Sequence, residues 1–306
     1  MVRKQIEACI EAVNQVVLGK EQAVRLAMAC CLARGHLLIE DLPGMGKSTL
    51  SHALAQVLGL SYQRIQFSAD LLPSDILGYT KLDTDSGQLV FHSGAVFSEI
   101  VLADEINRAA PKTQSAVLAV IEDGQVTIDS VTQSVPEPFF VIASQNPVSQ
   151  GVISSLSESH LDRFLLRLSL GYPSAKVERQ LLQGNPRKAL LENLAPLITR
   201  ADLLAVQQQV SEVQASDAVL NYILRLVEAT RTHAQLAFGL SPRGSMALLS
   251  AAKAWAFLAG RNEVLVEDIQ AVFPFVAAHR LREQNSPSGT GSAAVIKSLL
   301  ADVSPL

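Results

Sequence analysis

The segment Leu37-Leu38-Ile39-Glu40-Asp41-Leu42-Pro43-Gly44-Met45-Gly46-Lys47-Ser48-Thr49 constrains this chain more than any other, since it runs from an apolar stretch through glycines into Lys-Ser and then helix-forming sequence. A strand, a glycine turn and a helix in that order converge the first N–H groups of the helix on one point, where the helix dipole favours negative charge. Gly44 and Gly46 let the backbone close around an anion. Lys47, in the first helical turn, sits at the dipole end that disfavours a cation, and a bound anion would relieve this. The segment therefore reads as a phosphate-binding loop, with Lys47 placed to hold β- and γ-phosphates and the Ser48 hydroxyl to ligate Mg²⁺. It departs from the general G-x-x-x-x-G-K-[ST] pattern at Asp41, where the first glycine should stand. The plain alternative is a Pro-Gly turn before an ordinary helix.

Two more strands carry chemistry to the same kind of edge. Glu99-Ile100-Val101-Leu102-Ala103-Asp104-Glu105 is a short apolar run that ends in two carboxylates, as expected of a strand buried in a parallel sheet, whose C-terminal edge binds ligands. Asp104 is expected to orient Mg²⁺ and Glu105 to polarise the water attacking a γ-phosphate; an acidic start to the following helix is the simpler reading. Phe139 to Ser144 reads as a third strand running into Gln145-Asn146-Pro147. Asn-Pro alone starts turns. If this strand neighbours the one ending at Asp104, the Asn146 amide reaches the same edge and can position the water or sense the γ-phosphate.

With these segments in place, the chain resembles the MoxR family of AAA+ ATPases over nearly its whole length. The matching stretches also include Val16-Val17-Leu18-Gly19, Asp70 to Gly78, Ala103 to Ala109, Leu161-Asp162-Arg163-Phe164 and Gly239-Leu240-Ser241-Pro242-Arg243. The resemblance implies a ring of identical subunits, usually hexameric, with ATP/ADP and Mg²⁺ between subunits and hydrolysis driving the remodelling of a partner. It implies that Pro43 to Thr49 form the phosphate loop and that Val17, Leu18 and Gly19 contact adenine. Arg163 would reach the neighbour's γ-phosphate as an arginine finger, a role suited to a planar, always charged group; the plain alternative is an ion pair with Asp162 or Glu158. Ser241 reads as an N-cap and Pro242 as the first helical residue, which leaves Arg243 in a first turn where a phosphate would suit it. By resemblance Arg243 is a second sensor, reaching from the lid to the nucleotide.

The expected fold is α/β: a three-layer P-loop core with a parallel sheet over 1–171, followed by an all-α lid over 172–306. Leu165 to Leu170 reads as the last strand of the core, with the boundary at Gly171-Tyr172-Pro173. Beyond it, stretches around Leu203 to Gln209, Val219 to Thr232, Arg243 to Leu258 and Glu267 to Arg282 have helical spacing. With 306 residues and 48% hydrophobic content the chain can bury a substantial core. Its longest apolar candidate, Val24 to Ile39, is interrupted by Arg25, Arg34 and His36, so no membrane span is expected. The N-terminus lacks a secretory pattern, and Cys9, Cys30 and Cys31 form no disulfide or metal spacing. A cytoplasmic location is expected. Ser286 to Ser292 reads as a flexible connector to a final short helix, and with no long extension beyond the lid the chain is expected to supply little adaptor surface of its own.

Tyr79 to Phe91, turning around Asp83 to Gly87, and Gln125 to Val135, turning around Asp129-Ser130, read as hairpins. By resemblance they project toward one face or the pore of the ring. The first carries Lys81 against Asp83 and Asp85, the second carries no basic residue, and the chain has net charge -4. Holding phosphate backbones takes clustered cations, which disfavours the nucleic-acid motor as the alternative. Thr80-Lys81-Leu82-Asp83 fits a guanine-reading pattern, but it precedes Asp104 and lies within a hairpin, so a GTPase is not expected. A nucleotide-state switch that regulates a partner is the remaining alternative. MoxR-like proteins often act with partners bearing a von Willebrand A-type domain, and magnesium chelatase relatives help to insert a metal; those partners are separate chains.

Overall fold

The computed structural model describes residues 2–85, 87–146, 156–183, 187–284 and 293–304. Pro147 and the Ser286 to Ser292 connector lie outside them. Five strands form one parallel sheet: β1 (Leu37–Glu40), β2 (Tyr62–Gln66), β3 (Ile100–Asp104), β4 (Phe140–Gln145) and β5 (Leu166–Leu168), in the order β2-β3-β4-β1-β5. Register pairs such as Leu37 with Ile142, Leu37 with Leu166 and Ile100 with Phe140 hold the sheet together. Because side chains alternate across a strand, the sheet feeds two cores. Leu37, Ile39, Ile100, Leu102, Phe140 and Ile142 join one with the helices Val2–Val16, Glu21–Leu32 and Lys47–Leu58. Leu38, Val101, Ala103, Val141 and Ala143 join the other with Val117, Leu118 and Ile121 of the helix Pro111–Asp123. This gives the three layers expected.

Beyond β5, in the stretch expected to form the lid, lie helices Arg200–Ser211, Asp217–Thr232, Pro242–Leu258 and Val266–Ala277. Their buried faces, with Leu203, Leu226, Leu248 and Val272, continue the first of the two cores. This helical region thus packs onto the α/β core rather than hanging from it. It also carries one short antiparallel pair, Leu236–Phe238 with Arg282–Glu283. The helical spacing read through to Arg282 therefore runs past the observed end of the helix at Ala277. Beyond that end the chain turns to bring His279 and Arg280 against the core.

Both hairpins form, as Gly78–Leu82 with Leu89–Ser93 and as Gln125–Ile128 with Val131–Ser134. The second turns on Asp129 and Ser130 with φ of 49° and 67°, the left-handed pair that a two-residue hairpin loop demands. Thr80, Lys81 and Leu82 lie in the ladder of the first.

Candidate nucleotide site

At the C-terminal end of β1 the chain turns through Gly44 (φ 82°) and Gly46 (φ 97°) into the helix beginning at Lys47. A Cβ at either glycine would meet nothing within 4 Å, so it is the left-handed backbone and not crowding that requires glycine. No side chain caps this helix, and its first N–H groups are left for a ligand. The Lys47 ammonium donates to the carbonyls of Asp41 at 2.8 Å and Leu42 at 3.2 Å. Pro43 and Gly44 are exposed, and Met45, Gly46, Ser48 and Thr49 are half-buried.

Asp41 explains its own departure from the glycine pattern. Its carboxylate is buried and accepts from the Leu170 N–H, the Gly171 N–H (2.9 Å) and the Ser169 hydroxyl (3.3 Å). It ties the start of the phosphate loop to the chain leaving β5. The Lys20 ammonium donates to the carbonyls of Gly171 (3.0 Å) and Tyr172 (2.8 Å), so Val17, Leu18 and Gly19 lie beside the same junction. Val17 is buried, Leu18 half-buried and Gly19 exposed.

Asp104 and Glu105 end β3 at this edge. The Ser144 hydroxyl donates to Asp104 Oδ1 at 2.5 Å and accepts the Glu105 N–H at 2.9 Å, fixing both acids. Arg64 of β2 donates to Asp104 Oδ2 from Nη2 at 2.6 Å and from Nε at 3.2 Å. Glu105 has a left-handed backbone, φ 57°, which is uncommon for a residue other than glycine. Its carboxylate accepts from Arg108 at 2.8 Å and Gln66 at 3.0 Å. Since β4 pairs with β3, Asn146 follows β4 to the same edge, the condition its role depended on. The oxygens of Ser48 and Asp104 are the hard donors Mg²⁺ takes, and the residues present fit Mg-nucleotide.

Arg163 and Arg243 are elsewhere. Both donate to the carboxylate of Glu122, Arg163 at 2.6 Å and Arg243 by a short contact. Glu122 ends the helix that returns from the Asp104 edge. Nearby, the Leu165 N–H donates to the His36 carbonyl at 2.8 Å, and these two residues immediately precede β5 and β1. The arginines therefore stand at the N-terminal edge of the sheet, a strand length away from the phosphate loop of the same chain. Arg243, expected to reach from the lid to the nucleotide, thus does not reach the phosphate loop of its own chain. Ser241 does cap the lid helix, accepting from the Gly244 N–H at 3.0 Å, but the lid is docked to the opposite edge. The ion pair anticipated for Arg163 with Asp162 or Glu158 is replaced by Glu122; Glu158 pairs with Arg282, and Asp162 with Arg280.

Arg280 anchors this docking. Its Nε donates to Asp162 Oδ1 at 2.7 Å, and its two terminal nitrogens donate to the carbonyls of Leu165, Val276, Asp162 and Phe164. Burial lowers its pKa from the usual arginine value and the Asp162 carboxylate opposes that. The sequence reading missed Arg280, Glu122, Ser144, Arg64 and Gln66. Only Ser144 had a signal, its place between a strand and Asn146.

Nucleotide-binding machinery at one sheet edge and cationic side chains at the other define the class, a P-loop domain of the AAA type with its lid. The family model for the ATPase family associated with various cellular activities (AAA) matches residues 36–166, and that for the AAA lid domain matches residues 228–299. The chain is 41% identical over 296 residues to the uncharacterized protein YeaC of Bacillus subtilis, covering 96% of this chain and 92% of that one. It is 35% identical over 288 residues to Chaperone MoxR1 of Mycobacterium tuberculosis, covering 90% and 75%. A crystal structure of a candidate ATPase from Cytophaga hutchinsonii superimposes with TM-score 0.89 at 32% identity, over 99% of this chain and 95% of that one. The chain belongs to the MoxR family of AAA+ ATPases. No described helix is long and apolar enough to cross a membrane.

Proposed function

We propose that the protein binds Mg-ATP between copies of itself in a ring and hydrolyses it to bias the conformation of a partner protein. One observation carries this reading: the acidic pair and phosphate loop face one sheet edge while Arg163 and Arg243 stand at the other. Strands of three to six residues separate the edges by roughly 10–20 Å at about 3.3 Å per residue, so in this reading one nucleotide is completed by two chains. In a head-to-tail ring every subunit offers both edges.

At such an interface Lys47 leaves its loop carbonyls for the phosphates, and the N–H groups of Gly44 to Ser48 receive the phosphate oxygens. Mg²⁺, held by Ser48 and Asp104, would neutralise the charge on the β- and γ-phosphates. Glu105, freed from Arg108 and Gln66, accepts the proton of the attacking water, which Asn146 positions. The neighbour's Arg163 and Arg243 stabilise charge developing on the transferred group.

A protein partner is supported by the first hairpin, on which Tyr79, Leu82, Leu89 and Val90 are exposed. Exposed apolar side chains along a hairpin grip polypeptide better than a phosphate backbone. The name Chaperone MoxR1 of the mycobacterial relative points the same way. A von Willebrand A-type domain on the partner and a cytoplasmic location complete the reading.

The test is the ATPase rate per subunit against protein concentration, with assembly followed by sedimentation. The rate should rise steeply as rings form. Arg163→Ala should still bind ATP as a dilute subunit yet lose about a thousandfold in turnover when assembled. A flat rate from monomers, or weakened ATP binding by the dilute variant, would sink the shared site.

A further inference from the structure

Arg163 comes from the core and Arg243 from the lid, yet both end on the two oxygens of one carboxylate, Glu122. Carboxylate and phosphate are the two anions a guanidinium fork fits. Glu122 is in the last turn of its helix, before the left-handed Gly124. A negative charge there faces the negative end of the dipole, so its own helix does not favour it and the arginines do. They border a cavity of about 280 Å³ also lined by Arg34, Asp162 and Arg280. Asp162 is already taken by Arg280 and Ser241. Arg163 Nε is buried and has no partner among the described residues, so within them Glu122 satisfies that guanidinium only in part.

We propose that Glu122 is a built-in substitute for a neighbouring subunit's phosphate: it holds Arg163 and Arg243 together in the lone chain and is displaced when a second copy presents its nucleotide. The inference rests on the reading of these arginines as groups acting across the interface. Glu122 is a positioning residue, not a catalytic one. An arriving phosphate brings like charge against the carboxylate while binding the same donors. The arginines are thereby kept paired until a nucleotide-loaded neighbour outcompetes the internal anion, and the carboxylate sets the concentration at which rings form.

The experiment compares wild type, Glu122→Gln and Arg163→Ala by assembly and ATPase rate against protein concentration in saturating Mg-ATP, with ATP affinity measured on dilute subunits. Glu122→Gln should assemble at about fivefold lower concentration, the size expected on losing partly exposed ion pairing, with dilute ATP affinity unchanged. Glu122→Asp, too short to span both guanidiniums, should shift the same way by less, and it serves if the glutamine variant does not fold. An assembly midpoint that is unchanged or higher in the folded variant overturns the proposal. If Arg163→Ala keeps full turnover in rings, the reading of the arginines fails and this inference with it. If Arg163→Ala is inactive and Glu122→Gln leaves the midpoint in place, the substitute role alone fails.

Discussion

Asp41 shows how one residue can look like a defect in a motif and be a structural device. Its buried carboxylate receives the N–H groups of Leu170 and Gly171, which replacement would strand. Asp41→Gly regenerates the general phosphate-loop pattern, yet it should destabilise the fold by about 2 kcal/mol, since unmade hydrogen bonds at buried groups cost about 1–3 kcal/mol. A denaturant midpoint equal to that of wild type would show that the tie contributes nothing. The same substitution should weaken ATP binding, because it removes the carboxylate that ties the start of the phosphate loop to the Leu170–Gly171 junction, although the carbonyl that Lys47 uses remains. Ser144 works in the same way at the acidic pair, where a single hydroxyl fixes Asp104 and the Glu105 backbone together.

Elements differ in how far the sequence betrays them, and the reason is burial. The strands β1, β3 and β4 are covered on both faces, so Leu37 to Ile39, Ile100 to Ala103 and Phe140 to Ala143 stand out as apolar runs. β2 is an edge strand with Gln63, Arg64 and Gln66 exposed, leaves no such run, and hides Arg64 and Gln66 from any motif search. The seam between lid and core was equally invisible, because Glu122, Asp162 and Arg280 meet only through tertiary packing. That seam titrates. His36 is buried, accepts the Val141 N–H at 3.0 Å on Nδ1, and burial lowers its pKa to about 4; burial also holds His279 well below its usual value. Both are neutral in the fold and gain a proton more readily when unfolded, so their contribution is whole above the unfolded value near 6.5 and lost as pH falls toward 4. Lowering pH from about 7 to about 5 should remove about 2 kcal/mol through His36 alone, at about 1.4 kcal/mol per unit. His36→Asn, which keeps an acceptor but does not titrate, should flatten the pH dependence of the unfolding free energy; an undiminished slope would assign the effect to other groups.

For the whole molecule the strand order matters more than any single motif. The phosphate loop, the acidic pair and Asn146 were legible because each ends an apolar run, and β4 lying between β1 and β3 brings them to one edge. Which edge receives the lid was not legible, since it depends on where Arg280 and Ser241 find Asp162. That placement pairs Arg243 with Glu122, a strand length from the phosphate loop of its own chain, and in the proposed ring it faces a neighbour's nucleotide instead. The geometry makes a strong demand on mixtures. On the proposed shared site, Glu105→Gln rings would lack the proton acceptor and Arg163→Ala rings the opposing cation, so each should be inactive alone. Mixed before assembly, an Arg163→Ala subunit supplies an intact acidic pair and its Glu105→Gln neighbour an intact arginine. With random incorporation in equal amounts, about a quarter of the head-to-tail interfaces are then whole. ATPase activity should reappear at about that fraction of wild type in rings shown by mass to contain both variants. Mixed rings that stay inactive would place Arg163 and Glu105 in one functional unit of the same chain, which two opposite sheet edges do not permit.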